Sequence, residues 1–212
     1  MSHPDFRKTM HSHFAFTFWL HLSLIDLVGL PIFCASIGVV SLKDDEPNVK
    51  LGVIYNPTLN EMLSAVSGRG VYLNGEPLKQ RQAVDLPLNQ SLVNVGFPAV
   101  KESTLRVSAK AVNALATKVR GLRMMACASQ VMAWVAQDKF QSYVNWDLNA
   151  WDVCAGIAIL REAGGYILEL DEDGKDATLI SRDLIICSPG VARSYGESML
   201  QELKDSDCLE YS

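Results

Sequence analysis

Asp152 is the residue whose type and position best suit chemistry. It precedes a mostly apolar stretch that ends at Gly164-Gly165, and this pattern predicts a helix over residues 152–163 closed by a glycine cap. An aspartate at a helix start can cap the backbone N–H groups, which contributes about 1 kcal/mol to stability. The position also suits binding, because a helix N-terminus attracts anions and a carboxylate is a good ligand for a hard cation. The two roles are compatible.

Other residues with ligand chemistry are poorly placed for a metal site. The histidines lie near the N-terminus without a supporting pattern, so we expect no histidine site: they are His3, His11, His13 and His21. The acidic run Asp44-Asp45-Glu46 stands beside a lysine and a proline and is typical of a solvated turn.

The cysteines are scattered through the chain at positions 34, 127, 154, 187 and 208. Their number is odd and no pair has CxxC spacing, which argues against a disulfide framework or a zinc site. Free buried thiols are typical of a reducing compartment, so we expect a cytoplasmic protein.

The elements that must position Asp152 change character along the chain. The first half predicts antiparallel strands over residues 32–41, 50–55 and 61–67, and then a hairpin over 71–78 whose Asn74-Gly75 turn suits type I′. The second half alternates predicted strands (92–96, 122–125, 140–144, 166–170, 184–187) with predicted helices (102–119, 129–136, 152–163, 191–204). An α+β fold with layered sheets and helices follows.

Details of these helices can be predicted from residue type. Ser129 is expected to cap the helix over 129–136. In the helix over 102–119, one face is expected to carry the apolar residues Leu105, Ala109, Val112 and Leu115. In the helix that Asp152 opens, the stripe expected to face a sheet consists of Val153, Ile157 and Leu160.

Several motifs occur in a recognisable order. Residues 149–165 read NAWDVCAGIAILREAGG, and upstream stand PIFCASIG at 31–38, GVIYN at 52–56 and GRGVYLNGEPL at 68–78. This set resembles the inositol monophosphatase family, whose C-terminal signature is W-D-x-A-A-G followed by E-A-G-G. The resemblance extends over residues 31 to about 203, which is most of the chain.

The resemblance implies a fold, an activity and a set of site residues. The fold is the layered α/β sandwich of the sugar-phosphatase type, and a homodimer is expected. The activity is Mg²⁺-dependent hydrolysis of a phosphate monoester, with inositol monophosphate as the expected substrate and Asp152 as a metal ligand. Histidinol phosphate, nucleotide bisphosphates and fructose bisphosphate remain open as substrates of the same superfamily.

Two substrate-binding positions of the family carry over to this chain with departures. The stretch that meets the sugar or inositol ring corresponds to Ala126, Cys127 and Ala128, where a thiol replaces the usual hydroxyl and is a weak hydrogen-bond partner. The glutamate that the family often places six residues before its tryptophan corresponds to Asn145, which carries no charge. Either binding of inositol phosphate is weakened or the preferred substrate differs.

The upstream metal ligands of the family are missing at the expected place. Its D-P-x-D-G-T segment should fall at about residues 18–23, where this chain has FWLHLS, and the nearby Asp26 is out of register. We therefore divide the chain into a divergent apolar leader over 1–30 and an incomplete family domain over 31–212 that lacks the first helices. Two functions follow: a phosphatase with weak or no activity, or an inactive family member that acts as a regulatory or dimerising partner.

The leader itself has three interpretations. Residues 14–25 are almost all apolar, as in a signal peptide, a transmembrane helix, or an irregular leader joined to a buried strand. Asp26, Gly29 and Pro31 interrupt the apolar run, so we predict that it does not span a membrane.

The formal net charge of -5 argues against nucleic acid as a partner and is compatible with a small phosphorylated substrate.

Overall fold

Strand-forming residues of the first half build one antiparallel sheet. In the computed structural model the described residues are 14–21, 32–41, 47–79, 81–97 and 101–209, the first range by its backbone alone. Six strands follow one another in sequence order: β1 (Phe14–His21), β2 (Cys34–Ser41), β3 (Asn48–Asn56), β4 (Glu61–Val66), β5 (Val71–Leu73) and β6 (Glu76–Pro77). Asn74 and Gly75 both have positive φ, at 52° and 86°. The predicted meander and its hairpin turn are confirmed.

The second half builds a mixed sheet. Its strands are β7 (Leu92–Val95), β8 (Gly121–Arg123), β9 (Ser142–Asn145), β10 (Tyr166–Glu169) and β11 (Leu184–Cys187), in the spatial order β10-β11-β9-β7-β8. β7 runs parallel to β8 and β9, whereas β11 is antiparallel to β9 and β10. The C-terminal ends of β7 and β9 therefore lie at one edge, where ligand sites of parallel strands gather.

Four helices complete the layers of the described residues: α1 (Glu102–Ala116), α2 (Ala128–Ala136), α3 (Ala150–Ala163) and α4 (Arg193–Asp205). α2 and α3 lie between the two sheets in one apolar core, and α1 and α4 cover the outer face of the second sheet with another. The predicted layered α+β fold is confirmed.

Close approach of α3 to its neighbours depends on glycine. A Cβ atom added to Gly52 of β3 would lie 2.2 Å from the carbonyl oxygen of Ala155. One added to Gly156 would lie 2.5 Å from the sulfur of Met132 in α2. These positions let α3 pack directly onto the backbone of the first sheet and onto α2.

The helix faces differ from the prediction. In α1 the buried residues are Thr104, Val107, Ser108, Ala111 and Leu115. Of the expected face, Leu115 is confirmed as buried, Leu105 and Val112 are half-buried, and Ala109 is exposed, so its placement there was wrong. The Thr104 and Ser108 hydroxyls can be buried because they donate to the carbonyls of Lys101 and Thr104, at 2.8 Å each.

α3 is buried almost all round, and not along one stripe. Every residue from Val153 to Leu160 is buried, because the helix is enclosed by the first sheet, α2 and the second sheet. The expected stripe of Val153, Ile157 and Leu160 is part of this larger buried surface.

The N-terminal apolar stretch contributes a strand. β1 pairs antiparallel with β2 from Phe14↔Ser41 to His21↔Cys34, so residues 14–21 are not the irregular leader that we considered. No helix within the described residues is long and apolar enough to cross a bilayer. The described part contains no helix before β2, and residues 22–31 and 42–46, which include Asp26 and the acidic run, lie outside it, as do His3, His11 and His13.

Candidate functional site

Asp152 lies in the first turn of α3. The predicted place of Asp152 at the start of a helix is confirmed, but the helix begins two residues earlier, at Ala150, and its N-cap is Asn149 and not Asp152. The backbone N–H of Asn149 donates to Asp152 Oδ2 at 2.9 Å, which is half of a capping box. The carboxylate is half-buried and keeps its other oxygen for a further partner.

The start of α2 lies beside the start of α3. Ser129 is within α2 and not its cap, and its hydroxyl donates to the backbone carbonyl of Asp152 at 2.8 Å. The N-cap is Cys127, whose φ of 68° is in the left-handed region. The Cys127 sulfur is buried, and the negative charge of Asp152 nearby acts to raise the pKa of its thiol. The 126–128 segment and Asp152 thus lie close together, with Ala126 exposed and Ala128 half-buried.

Cys127 faces another thiol across the interior. Its sulfur is 3.5 Å from that of Cys34 in β2, and the backbone N–H groups of Gln130 and Cys34 also approach it. Donation by the Cys34 thiol lowers the pKa of Cys127, while the same hydrogen bond raises the pKa of Cys34, helped by burial. The Cys127 thiol is therefore directed toward β2 and engaged there.

Asn145 is held rigidly at the end of β9. Its Nδ2 donates to the hydroxyl of Tyr143 at 2.6 Å, and its Oδ1 accepts the backbone N–H of Trp146 at 2.9 Å. Gly96, at the end of β7, leaves the space for this amide, because a Cβ there would lie 2.1 Å from Asn145 Oδ1. One N–H and one lone pair remain for a ligand hydroxyl.

The environment of Tyr143 connects Asn145 with Asp152. Complete burial raises the pKa of Tyr143, and the negative charge of Asp152 raises it further. The Tyr143 hydroxyl, which accepts the hydrogen bond from Asn145, therefore lies close enough to the Asp152 carboxylate to be affected by its charge. The structure brings Asp152, Cys127 and Asn145 into one region, and their roles stay predictions.

An ion-pair network fixes the loop between β9 and α3. Asp147, with a φ of 56°, binds Lys101 at 2.9 Å and the Nε of Arg182 at 3.1 Å. Arg182 also donates to Asn149 Oδ1 at 3.0 Å, which links the network to the start of α3. Partial burial acts to raise the pKa of Asp147, but hydrogen bonds from Arg182 and Lys101 outweigh it and hold that pKa below its usual value. Sequence reasoning missed these residues because they come from separate segments.

Glu162 connects two of the recognised motifs. Its carboxylate oxygens accept the backbone N–H groups of Gly68 and Gly70, each at 2.9 Å. The end of α3 is thereby attached to the turn between β4 and β5. We assign Glu162 to this structural role, away from the region around Asp152.

The described residues do not by themselves form a Mg²⁺ site. No group of three or more His, Cys, Asp or Glu side chains within them is arranged to hold a metal ion. Asp152 is the carboxylate at this site, and one of its oxygens already accepts the N–H of Asn149. Because Mg²⁺ demands an octahedral set of oxygen ligands, one such carboxylate leaves the ion mostly to water.

Comparison with known proteins places these observations in a family context. The sequence model of the inositol monophosphatase family matches residues 27–207. A Solanum lycopersicum protein named inositol monophosphatase 1 is 30% identical over 173 residues, covering 81% of this chain and 60% of that protein. The fructose-1,6-bisphosphatase/inositol-1-monophosphatase of Thermotoga maritima is 32% identical over 157 residues, covering 74% of this chain and 56% of that protein.

The fold has close counterparts among solved structures. The inositol monophosphatase from Anabaena (Nostoc) superimposes with a TM-score of 0.78 at 24% identity, covering 92% of this chain and 73% of that one. This similarity supports the layered fold. The alignments with the two sequence relatives cover 60% and 56% of those proteins, so this chain spans less than two thirds of their length.

Proposed function

This chain belongs to the inositol monophosphatase family, and from that premise we propose that it binds and hydrolyses phosphate monoesters of small polyols, inositol monophosphate first among them. The observation that supports the proposal is the convergence of Asp152, the 126–128 segment and Asn145 at one place. Fructose 1,6-bisphosphate is a second substrate to consider, because the name of a relative at 32% identity includes that activity.

Each of these residues would have a distinct role. The first turn of α3 would favour the phosphate, since a helix N-terminus carries partial positive charge. The remaining N–H and lone pair of Asn145 would bind a hydroxyl of the polyol. We propose Mg²⁺ as the cofactor with Asp152 as one ligand, and we assign no other described residue to the ion.

The state of Cys127 bears on affinity. Its thiol faces Cys34 at 3.5 Å and is buried. A thiol is also a weaker hydrogen-bond partner than the hydroxyl that the family usually has there. We therefore propose that polyol binding is weaker in this chain, and that turnover falls below the rate of about 1 per second at the low end of typical enzymes.

A phosphate-release assay tests the proposal. The purified chain is incubated with Mg²⁺ and either inositol monophosphate or fructose 1,6-bisphosphate, beside the Asp152→Asn variant and a reaction without the metal. The proposal expects slow release that needs Mg²⁺ and is lost in Asp152→Asn. Release no faster than in Asp152→Asn would contradict the hydrolytic function.

A second candidate is a binding or regulatory family member without turnover. It is favoured by the single carboxylate that the described residues place at the site. Titration calorimetry with inositol monophosphate separates the two functions, because the second candidate expects binding without phosphate release.

We further propose a cytoplasmic homodimer that takes a small ligand and no nucleic acid. Sedimentation velocity tests the dimer.

A further inference from the structure

Cys34 and Cys127 form a pair of facing thiols, and the proposed function gives no chemical step to either sulfur. Their sulfurs are 3.5 Å apart, although the residues are 93 positions apart in the sequence. Both are buried, with 1% and 6% of their surfaces exposed. All five cysteines lie in the described residues and are free, so this contact joins two reduced sulfurs in the interior.

We propose that Cys34 and Cys127 form a reversible disulfide when the protein meets a peroxide. In a disulfide the two sulfurs are about 2.05 Å apart. From their present separation of 3.5 Å, Cys34 and Cys127 therefore need only a small local movement to form the bond. β2 is paired on both sides, with β1 and with β3, and Cys34 is its first residue, paired with His21 of β1. The approach therefore comes from Cys127.

The backbone around Cys127 suits such a movement. The residue connects β8 to α2 and has a φ of 68°, a conformation that is strained for any residue with a side chain. Its neighbour Ala126 is exposed, whereas the residue after Cys34 is a half-buried residue of β2. Cys127 is thus the sulfur nearer the surface and the one that a small oxidant reaches first.

The chemistry balances with hydrogen peroxide as the oxidant. The Cys127 thiolate attacks one peroxide oxygen, the O–O bond breaks, and a sulfenic acid and hydroxide form. The Cys34 sulfur then attacks the sulfenic sulfur, the S–O bond breaks, and its oxygen leaves as water after taking the thiol proton. The hydroxide takes up the proton that the Cys127 thiol released when it ionised. Two electrons pass from the two sulfurs to the peroxide, and the products are one disulfide and two waters. A dithiol reductant reverses the bond by exchange.

The bond would attach the segment before α2 to β2. That segment contains Ala126, and Ala128 follows as the first residue of α2, so oxidation would fix the backbone of the predicted substrate-binding stretch. The proposal itself depends on the sulfur contact and not on phosphatase activity. It can therefore be tested in a preparation that shows no turnover.

Cys154 offers a matched control. It is also buried in the core, and a Cβ added to Gly38 of β2 would lie 2.2 Å from its sulfur. Cys154 thus packs against the same strand as the proposed pair. Burial next to β2 alone would make Cys154 as reactive as Cys127, whereas a specific pair would leave Cys154 reduced.

The test is peptide mapping of the whole chain. The protein is treated with hydrogen peroxide, unfolded, alkylated and digested, with and without prior dithiothreitol. We expect a linked peptide pair that contains Cys34 and Cys127, lighter than the two separate peptides by two hydrogens and absent after dithiothreitol. Closing a loop of this length should also raise the urea midpoint of the oxidised protein.

Variants make the result specific. Cys154→Ala should retain the cross-link, whereas Cys34→Ala should lose it and leave Cys127 as a sulfenic acid that dimedone traps. Full alkylation of both cysteines after peroxide treatment, or a cross-link between another pair, would overturn the proposal. The wild-type map decides the question even if a variant fails to fold.

Discussion

The backbone N–H of Asn149 donates to the Asp152 carboxylate at 2.9 Å, so the residue that the family resemblance assigns to a metal also closes the first turn of α3. One oxygen stabilises the helix, and the other remains for a ligand. This division of one carboxylate between two roles can be separated by substitution.

Asp152→Asn should unfold at nearly the wild-type urea concentration, because its amide oxygen can still accept the Asn149 N–H. Asp152→Ala should lose about 1 kcal/mol of unfolding free energy. Both variants should lose any Mg²⁺-dependent phosphate release. Equal stability of the Ala variant and the wild type would mean that the capping bond contributes nothing.

Glu162→Ala should destabilise the protein by about 1 to 3 kcal/mol, because it leaves the N–H groups of Gly68 and Gly70 without their carboxylate. Glu162→Gln should cost less, since it keeps one acceptor oxygen. Urea unfolding measures both. The control is Glu172→Ala, whose side chain is 84% exposed and should have little effect.

Gly52→Ala should be more destabilising than Gly156→Ala. The new methyl group at position 52 would meet the backbone carbonyl of Ala155, which cannot move without shifting α3. At position 156 its nearest contacts are the sulfur and Cε of Met132, which can rotate away, and the Met132 Cβ follows at 2.9 Å. We expect losses of about 1 to 3 kcal/mol, with the larger at position 52. The reverse order in thermal or urea unfolding would contradict the close packing of α3 on β3.

Asp147 should make stability depend on pH in the acid range. Because the folded-state pKa is below its unfolded value, the stabilisation is present above the unfolded pKa of about 3.9 and is lost as pH falls through the folded pKa. Asp147→Asn should therefore lose about 1 to 2 kcal/mol at pH 7. The difference from the wild type should shrink as pH falls below about 4.

Urea unfolding at pH 7, 5 and 3 measures this dependence. The series crosses the usual aspartate pKa of about 3.9. The matched control is Asp173→Asn, whose ion pair with Lys175 is exposed on both sides. This variant should follow the wild type at every pH. A constant difference between Asp147→Asn and the wild type across the series would show that the charge of Asp147 is not what stabilises the loop.

The amino-acid sequence alone indicates the family, the order of the elements and the segments proposed for the site. These depend on local patterns: Asn74-Gly75 needs two positive φ angles, Gly164 closes α3 in the left-handed region, and alternating strands and helices predict layers. Local patterns located the N-terminus of α3 less well, because Asn149 and Asp152 are both good capping residues and the choice between them depends on which hydrogen bond forms.

Contacts between residues far apart in the sequence depend on how the folded chain packs. The bond from Gly70 to Glu162, the ion pair of Lys101 with Asp147 and the contact of Cys34 with Cys127 join segments 46 to 93 residues apart. No periodicity encodes such pairs, because they depend on how whole layers pack. The buried face of α1 was also beyond the sequence, since Thr104 and Ser108 become compatible with the core only through hydrogen bonds to their own helix.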